Sequence, residues 1–577
     1  MHPQFRHQEL TVDARRWQER IADPSVCRTF EAQGVSPVLA HLIAARGLAP
    51  DGLEAFFDPS IVRLPDASVL PGIASAAEVV MPFVAARKKI VVFGDYDADG
   101  VCATAILVRT IRTLNGVADA FIPGRFTEGY GMTEASLTRL LAEHPDVALV
   151  ITVDNGITAV DEIASLRARG ISVVVTDHHI PGTSLPVTEA LVDPRVSSAP
   201  GCDGLCGAGV AFFLAAALAR AATASGLYSG GKFAGPLLVM AGLATVADLM
   251  PLAECNRILV TQALASFRTF APIGLRELFD RAARRIAPVT SRDFGFLLAP
   301  RINAAGRMET AQAAYELLMT DDREAARMLA IKVDGLNVRR KTEELRMEQA
   351  VREQFGDFKG LDAVVVRGED WHSGVSGIVA ARILEQTSLP VAIVVGDNGS
   401  ARAPDGYNVY NALEAASATL VRFGGHAAAG GFTVKPGAYE EFKRLFTEAC
   451  AAQKSAAPDA SAILFDGWLE PGDMTLELHS DIKRLEPFGE GNPEPIFGVQ
   501  NVSFADIRPI GADGRHAAFT FADRSVPRAV WWNHGGDADN LRARSASRFD
   551  VLFNLQVSEF GGDGPTPELR MVAIRPH

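Results

Sequence analysis

Carboxylate and imidazole side chains recur directly after short apolar runs of this sequence, where they could bind metal ions. The candidates are Asp97, Asp99, Asp154, His178, His179 and Asp248. Close carboxylates repel each other unless a cation neutralises them, and oxygen ligands with one or two imidazoles suit Mn²⁺ or Mg²⁺ better than a structural zinc site. Two such ions stabilise both the attacking and the leaving oxygens of a phosphoryl transfer. The residue types therefore predict a divalent-metal phosphoesterase that cuts a phosphodiester backbone.

Most of these motifs have a plainer explanation when each is taken alone. In DYDADG (Asp95–Gly100), alternate aspartates share one side of an extended backbone, but an acidic loop or a helix N-cap has the same composition. Asp154 could be a turn residue at a strand end, and Asp248 a turn residue at a helix C-terminus. The two histidines after Asp177 are more specific, because a neutral imidazole is a common metal ligand and a neighbouring carboxylate fixes its tautomer.

Three predicted strands must bring these side chains together: KKIVVFG (Lys88–Gly94), ALVITVD (Ala148–Asp154) and ISVVVTD (Ile171–Asp177). Helical stretches separate them, one from Val101 to Leu114 and one ending near Arg169. Continuous apolar strands that alternate with helices are typical of a parallel sheet covered on both faces. In such sheets the chemistry lies at the carboxyl ends of the strands, where all three acidic segments follow. The sequence therefore predicts an α/β catalytic domain with its site at this edge.

A long helix is predicted from Asp321 to Phe355, because the segment lacks proline and is rich in strong helix formers. Gly335 could bend it. Its mixed charges favour a solvated spacer helix over a nucleic-acid-facing rail made of Arg339, Arg340 and Lys341.

Two further modules follow this helix. A smaller α/β unit runs from Leu361 to Ala452, and a small-residue linker separates it from residues 463–577. That last segment alternates short β-branched and aromatic runs with Gly/Asp turns, which predicts an all-β module. Adjacent Trp531 and Trp532 point to opposite faces if they lie on a strand, so one could be core and the other exposed for base stacking. Two rings that are buried or at a hinge are the favoured interpretation.

Composition limits how this protein can bind its substrate. The chain has 577 residues, 48% of them hydrophobic and 22% charged, and its net charge is −13. This is the balance of a globular protein of about three or four domains. A chain this acidic cannot attract polyanions through bulk charge, so a nucleic-acid substrate would need local attraction from metals, an arginine pocket or a basic channel.

Cysteine usage and apolar runs indicate a cytoplasmic, reducing location and no membrane association. The six cysteines do not form a disulfide framework, and the close pair Cys202 and Cys206 lacks further zinc ligands nearby, so buried or incidental thiols are expected. The N-terminal residues have no apolar signal core. The longest apolar run, Leu205–Leu218, is too short to span a bilayer.

Taken in order, DYDADG, TVDNGI, TDHH and VADLMPL resemble the motifs of the DHH phosphoesterase superfamily. Within it, later segments resemble the RecJ family of single-strand-specific 5′→3′ DNA exonucleases: RINAAGRM, WHSGVSGIVAARI, GSARAP, GGHAAAGGF and LEPFGEGNPEPIF. The resemblance implies a multidomain α/β protein. Its regions are an N-terminal helical segment packed on the catalytic domain (1–85), a DHH catalytic domain (86–320), a connecting helix (321–357), a DHH-associated domain (358–452) and an OB-fold β-barrel (463–577).

The resemblance also implies roles for the metal cluster, with two Mn²⁺ or Mg²⁺ ions as cofactors. Asp154 would bridge the two ions, and Asp97 would complete one site. Asp99, His178 and Asp248 would complete the other site. His179 would contact the scissile phosphate, and Asp95 and Asp177 would lie behind the ligands. Several family members have a histidine where this chain has Phe93, which cannot ligate and could weaken the first metal site.

The polarity of the reaction requires a pocket for the free 5′ end. A terminal phosphate carries more charge than an internal diester, so convergent arginines can select it. The resemblance implies that the 5′-phosphate and DNA contacts come from Arg125, Arg307, Ser400, Arg402 and His426. Surface or structural roles remain alternatives for each residue. For His426, as for His372, a structural role is the favoured interpretation.

The resemblance thus implies an enzyme that removes 5′-mononucleotides from single-stranded DNA in recombination and in mismatch and other repair. Its expected partners are single-stranded DNA, a helicase and a single-strand-binding protein, and a monomer is expected. One alternative is a phosphodiesterase for short oligonucleotides or cyclic dinucleotides, which generally lacks the terminal barrel. A pyrophosphatase needs neither barrel nor long helix. A catalytically inactive binding scaffold is the alternative from another class, and it predicts the loss of ligand aspartates that this chain retains.

Overall fold

The computed structural model describes residues 16–129, 131–231, 233–283, 288–453, 462–511, 513–544, 547–558 and 564–577. They form two compact units. One contains the described residues from Ser60 to 453, and the other joins those up to Pro59 with those from 462 onward.

The catalytic region of the first unit is built on a five-stranded parallel sheet. Its strands are β2 (Lys89–Phe93), β3 (Val117–Phe121), β4 (Leu149–Val153), β5 (Ser172–Thr176) and β6 (Ala190–Val192), where β1 (Trp17–Glu19) belongs to the other unit. The order is β3-β2-β4-β5-β6, with Phe93 paired to Thr152 and Val153 to Thr176. Alternate strand residues enter two separate hydrophobic cores, Val92 on one face and Val91 on the other. The predicted doubly covered parallel sheet is confirmed.

Helices cover this sheet and extend the domain toward residue 319. Helices α1 (Pro24–Ala32), α2 (Pro37–Ala45) and α3 (Leu53–Phe57) lie in the other unit. The catalytic helices are α4 (Ile73–Ala85), α5 (Ala98–Thr113), α6 (Glu134–Glu143), α7 (Val160–Ala168), α8 (Gly207–Ala224), α9 (Ala234–Ala247), α10 (Glu254–Phe270), α11 (Ile273–Ala283), α12 (Ser291–Asp293), a π-turn (Phe294–Leu298), α13 (Ala299–Met308) and α14 (Gln312–Met319).

Helix α8 is the apolar segment singled out in the sequence, and it is longer than expected. By length and composition it could cross a membrane, and the bent pair α10–α11 passes the same test if it is counted as one span. In the structure 56% of α8 is buried, and it packs against α4, α5 and α9. Within the described residues it is therefore a core helix of the catalytic domain.

Two cysteines correct the expectation of unpaired thiols. Cys202, in the loop before α8, is joined by a disulfide to Cys255 in the first turn of α10. Cys206 is a buried free thiol at the N-cap of α8, so it does not form a pair with Cys202. The partners are 53 residues apart, and nothing in their spacing indicated the bond.

The long helix α15 (Arg323–Phe355) forms as predicted, with Asp322 capping its first turn and Gly356 ending it at φ 64°. It is less solvated than expected, because it packs against α11, α13 and α14 in one half and α16 (Ser376–Thr387) in the other. Arg340 is buried and bonded to Glu344 at 2.5 Å, so the three-residue basic rail does not exist as a surface.

The second α/β region is a mixed sheet of β7 (Val364–Gly368), β8 (Val391–Val395), β9 (Asn398–Arg402), β10 (Leu420–Gly425) and β11 (Ala429–Val434). The order is β10-β11-β9-β8-β7, with only β7 and β8 parallel. With α16, helices α17 (Val409–Ala415) and α18 (Tyr439–Gln453) complete it. This region is the smaller α/β unit that the sequence predicts from Leu361 to Ala452.

The other unit contains the predicted all-β module. A six-stranded sheet has the order β13-β17-β18-β16-β15-β14. Its strands are β13 (Phe497–Val502), β14 (Phe504–Ile510), β15 (His516–Phe521), β16 (Ala529–Trp531), β17 (Phe549–Ser558) and β18 (Thr566–Pro576), and β12 (Ile463–Phe465) pairs with β1. Helices α19 (Leu476–Lys483) and α20 (Ala538–Ala543) flank it.

The structure corrects the expected packing of the N-terminal segment. Phe30, Leu39 and Ile43 share one hydrophobic core with strands of the all-β module. Arg20 and Arg46 both bond to the buried Asp466 of that module, at 3.1 and 3.3 Å. The part from Ser60 to residue 85 belongs to the first unit and packs on the catalytic domain through α4. The sequence predicted a helical segment but did not identify the surface that covers its first half.

Candidate metal centre

The carboxyl ends of β2, β4 and β5 bring the predicted cluster together, and Asp248 joins it from the end of α9. Three overlapping groups could each hold an ion: Asp95, Asp97 and Asp154; Asp99, His178 and Asp248; and Asp154, His178 and His179. Within each group the ligand atoms lie within 4.8 Å of one another. Asp154 belongs to the first and third groups and contacts His178 of the second, so it would be the residue shared between two bound ions.

His178 is the centre of the second group. Its Nε2 atom lies 3.0 Å from Asp154, 3.6 Å from Asp99 and 3.7 Å from Asp248. Burial lowers the pKa of His178 below its ordinary value even though Asp99 and Asp177 favour the charged form. The ring is therefore a neutral imidazole that faces three carboxylates, which is the form that ligates a cation.

Backbone donors from two helix N-termini orient the aspartates of DYDADG. Asp97 caps α5 by accepting hydrogen bonds from the N–H groups of Asp99 and Gly100, both at 3.0 Å. The Asp99 carboxylate accepts 2.7 Å bonds from the N–H groups of Gly207 and Ala208, at the start of α8. The capping alternative for Asp97 is thus correct, and it coexists with a place in the metal cluster.

Asp154 is held in a backbone conformation that few residues adopt. Its φ is 60°, in the left-handed region that aspartate tolerates better than most residues. Gly207 makes this possible, because a Cβ there would lie 2.5 Å from Cβ of Asp154. Sequence analysis missed Gly207, and only the glycine-rich CGAG segment before an apolar helix could have indicated it.

The cluster has the electrostatics of a cation site. Burial raises the pKa values of Asp95, Asp97 and Asp154 above the ordinary range, and neighbouring carboxylates raise them further. Burial, then Asp99 and Asp97, raise the pKa of Asp248 to about 8. The buried Oδ1 atom of Asp95 has no hydrogen-bond partner among the described residues. Divalent cations would neutralise this charge and supply the missing partner, so the residues fit the metals that the sequence implies.

His179 is bound differently from His178. Its Nδ1 atom lies 2.7 Å from Asp177, and the other Asp177 oxygen accepts the N–H of Ile157 at 2.9 Å. Burial alone would lower the pKa of His179, but the hydrogen bond and charge of Asp177 outweigh it and raise that pKa to about 9. Asp177 thus lies behind His179, as expected, and holds one side of a half-exposed ring.

Phe93 does not approach the cluster as a ligand. It is fully buried at the end of β2 and stacks on Phe121 with ring centroids 5.2 Å apart. Asp95, expected to lie behind the ligands, instead offers an oxygen to the same group as Asp97 and Asp154. Asp95 therefore places a third carboxylate beside Asp97 and Asp154, although Phe93 cannot ligate.

Three arginines predicted to bind a 5′-phosphate converge beside this cluster. Arg125 and Arg307 are close enough to influence Asp95 and Asp97 electrostatically. Burial, and then the charge of Arg125, lower the pKa of Arg307 to about 10 and that of Arg402 below its ordinary value. In the described parts of the chain, none of the three forms an ion pair with a carboxylate. Clustered cations that repel one another favour an anionic ligand.

The second α/β region provides the opposite wall of this arginine pocket. Ser400 and Arg402 both lie on β9. The Ser400 hydroxyl lies 3.0 Å from that of Ser376, at the start of α16. His426 is on the turn between β10 and β11 and is exposed, and no bond to the pocket is present among the described residues. Its turn adjoins the pocket, because Ala429 is the register partner of Arg402.

Helix α13, which carries RINAAGRM, connects the pocket to the metal cluster. Asn303 accepts a 2.7 Å bond from the N–H of Ala98, and a Cβ on Gly306 would lie 2.5 Å from the Tyr96 carbonyl oxygen. Arg307 follows directly and donates to the Gly374 carbonyl at 3.4 Å. The roles of Asn303 and Gly306 were missed, because their contacts lie about 205 residues away in the sequence.

Three parts of the chain match known families. Residues 89–235 match the DHH family, N-terminal domain; residues 360–452 match the DHHA1 domain; and residues 465–571 match the RecJ OB domain. The last match agrees with the OB fold that the resemblance implied for the all-β module.

Similar proteins cover nearly the whole chain. The chain is 34% identical over 564 residues to a single-stranded-DNA-specific exonuclease RecJ from Bacillus subtilis, which covers 94% of this chain and 69% of that protein. A crystal structure of RecJ from Thermus thermophilus with Mn²⁺ superimposes with a TM-score of 0.82 at 31% identity, covering 97% of this chain and 80% of the other. The Mg²⁺ complex of that protein gives a TM-score of 0.77 at 30% identity, covering 97% and 78%.

Proposed function

The chain belongs to the RecJ family of single-stranded-DNA-specific exonucleases, and we propose that it hydrolyses single-stranded DNA from the 5′ end with two divalent metal ions. The observation that carries this proposal is the position of the arginine pocket directly beside the carboxylate–histidine cluster. The pocket suits a terminal phosphate, and the cluster suits the chemistry at the next phosphodiester.

The metal-binding roles follow from the three ligand groups. Asp95, Asp97 and Asp154 would hold one ion, and Asp99, His178 and Asp248 the other. When bound, the two ions supply the nucleophile at neutral pH and stabilise the charge of the phosphoryl transfer. The chain orients these ligands through Gly207, whose N–H holds Asp99 and whose lack of a side chain leaves room for Asp154.

The direction of hydrolysis follows from the pocket. A terminal phosphate carries more charge than a diester, and buried arginines therefore bind the terminal phosphate more tightly. With this phosphate between Arg125, Arg307 and Arg402, the bond between the first two nucleotides would reach the metal cluster. Cleavage of the O3′–P bond releases a 5′-mononucleotide and leaves a new 5′-phosphate on the shortened strand. His179, protonated and supported by Asp177, would contact the scissile phosphate.

The OB domain supports a polymeric substrate rather than a short one. OB folds bind single strands through basic grooves and exposed aromatic rings. Trp531 is buried at the end of β16, and Trp532, in the turn that follows, is 48% exposed. One ring therefore lies in the core and one outside, which was the less favoured of the two interpretations. A role in recombination and repair, a helicase and a single-strand-binding protein as partners, a monomeric state and a cytoplasmic location remain parts of this proposal.

The test uses four DNAs with the full-length protein and Mn²⁺. These are a 5′-phosphorylated single strand, the same strand with a 5′-hydroxyl, the strand blocked at its 5′ end, and the duplex. Labels at each end report direction, because a 5′ exonuclease releases the 5′ label first, as a mononucleotide. Asp154→Asn should abolish hydrolysis, whereas Asp161→Asn, the same change at an exposed position of α7, should not.

The pocket needs its own variant. Arg402→Met should lower the ratio of rates on 5′-phosphate and 5′-hydroxyl strands. Arg422→Met on β10, which β11 separates from β9, should leave the ratio unchanged. Release of the 3′ label first would contradict the direction, and hydrolysis confined to oligonucleotides of a few residues would favour the short-substrate phosphodiesterase. Activity without metal would exclude the proposed roles of the ligand groups.

A further inference from the structure

An exposed aromatic ring lies beside the arginine pocket and has no part in the roles assigned so far. Phe126 follows Arg125 in the loop after β3, and its side chain is 48% exposed. The base of this loop is fixed, since Glu128 accepts the N–H of Gly124 at 2.5 Å and also binds Arg139 at 2.5 Å. The loop therefore presents Phe126 from an anchored turn.

The partner of this ring comes from the other side of the pocket. Phe126 contacts His372 of the second α/β region edge to face, with ring centroids 5.5 Å apart and an interplanar angle of 81°. The His372 ring is itself held, because its Nδ1 accepts the N–H of Gly374 at 3.1 Å and the ring also bonds to the backbone of Met308. His372 is thus the structural histidine that the sequence favoured.

Both aromatic rings are attached to the residues that would bind phosphate. Phe126 directly follows Arg125 in the sequence. The Arg125 guanidinium lies over the Tyr96 ring, 5.2 Å from its centroid. Gly374, which binds His372, packs so closely on Arg307 that a Cβ there would lie 1.9 Å from the Arg307 carbonyl oxygen. An exposed aromatic ring and a set of cations are therefore held by the same loop and its partner, one suited to a base and the other to its phosphate.

We propose that Phe126 stacks on the base of the terminal nucleotide whose 5′-phosphate occupies the arginine pocket. The ligand is a nucleobase of any kind, because every base has a π-face. This inference rests on the proposed function and deepens it, since the enzyme would then recognise the first nucleotide by its base as well as by its phosphate. His372 acts as a positioning residue that fixes the orientation of the Phe126 ring.

A purely structural role for Phe126 makes a different prediction. If the ring only orders the loop, its removal would displace Arg125 and weaken the response to the 5′-phosphate on every substrate. If the ring stacks on a base, its removal matters only when a base is present. A strand with an abasic first nucleotide separates the two roles.

The experiment measures kcat/KM for release of the first nucleotide from two 5′-phosphorylated strands that differ only in an intact or an abasic first nucleotide. Wild type should prefer the intact strand by about 5-fold to about 150-fold, the range that one base stack on an aromatic ring is worth. Phe126→Ala and Phe126→Leu should lose most of this preference through slower reaction of the intact strand, and Phe126→Tyr should keep it. The ratio of rates on 5′-phosphate and 5′-hydroxyl strands should stay unchanged in all three.

Two results would overturn the proposal: equal rates of wild type on both strands, or an equal loss on both strands in Phe126→Ala. Leucine serves as the matched control, because it keeps an apolar contact with His372 but has no flat π-face. If wild type hydrolyses neither strand, the proposed exonuclease activity itself fails, and the stacking role falls with it. If wild type hydrolyses both strands at equal rates, the stacking role fails but the exonuclease activity stands. The two failures are therefore distinguishable.

Discussion

Without metal, the carboxylate cluster should make the protein less stable as the pH rises from 6 to 8. The pKa values of Asp95, Asp97, Asp154 and Asp248 are all raised, so the folded protein keeps protons that the unfolded chain has lost. Wherever the unfolded state binds fewer protons than the folded state, the free energy of unfolding falls with increasing pH. The destabilisation comes from burying mutually repelling charges, and cations should remove it.

Asp248 gives the magnitude, because its pKa rises from 3.8 to about 8 and its side chain is 31% exposed. Between pH 6 and 8 the unfolded residue is ionised throughout, while the folded residue changes from protonated to half-ionised. This costs about 2 kcal/mol of unfolding free energy. The raised pKa of His179 adds to this fall, and the lowered pKa of His178 opposes part of it.

Urea denaturation at pH 6, 7 and 8, in EDTA and in saturating Mg²⁺, tests this reasoning. The transition that responds to metal should shift to lower urea with rising pH in EDTA, and the gain from Mg²⁺ should be about 2 kcal/mol larger at pH 8 than at pH 6, since protons compete for the ligands. Asp248→Asn should make the slope shallower, and Asp161→Asn should leave it unchanged. A metal-free stability that is constant or increases from pH 6 to 8 would refute the reasoning.

Three further changes test how other residues support the site and the OB domain. Gly207→Ala places a Cβ 2.5 Å from that of Asp154 and should lower kcat on single-stranded DNA by about 100-fold, the effect of a misplacement of about 1 Å; wild-type kcat would contradict this contact. Asn303→Ala removes the acceptor of the Ala98 N–H and should lower the unfolding free energy by about 1 kcal/mol, measured in urea. Trp531→Ala should destabilise the OB domain by about 3–5 kcal/mol, and Trp532→Ala should leave stability unchanged but weaken binding of single-stranded DNA by about 5-fold or more. Equal effects of the two tryptophan substitutions in thermal unfolding and in DNA titration would disprove the assignment of Trp531 to the core and Trp532 to the surface.

The catalytic sheet was predictable because its information is local. Continuous apolar runs such as the one that forms β4 identify buried strands without any knowledge of their partners. Since parallel strands end at one edge, the acidic segments after β2, β4 and β5 had to meet there. The long helix α15 was predictable for the same reason, as propensity and capping lie within the segment itself.

Contacts between distant segments were not predictable in this way. The disulfide between Cys202 and Cys255 and the packing of Phe30 in the OB unit join surfaces that no local pattern relates. The burial of Arg340 was equally hidden, because a charge on a helix looks solvated until the partner that covers it is known.

The sequence by itself identified the residues proposed for the chemistry: the carboxylates and histidines after three strands, and the arginines that the resemblance implied. Tertiary structure alone decided how they are held. Asp99 depends on the N-terminus of α8, Asp154 on the absence of a side chain at Gly207, and Phe126 on a histidine from another domain. The physical reason is that residue type sets what a side chain can bind, whereas its orientation and charge state depend on neighbours that only the folded chain brings into contact.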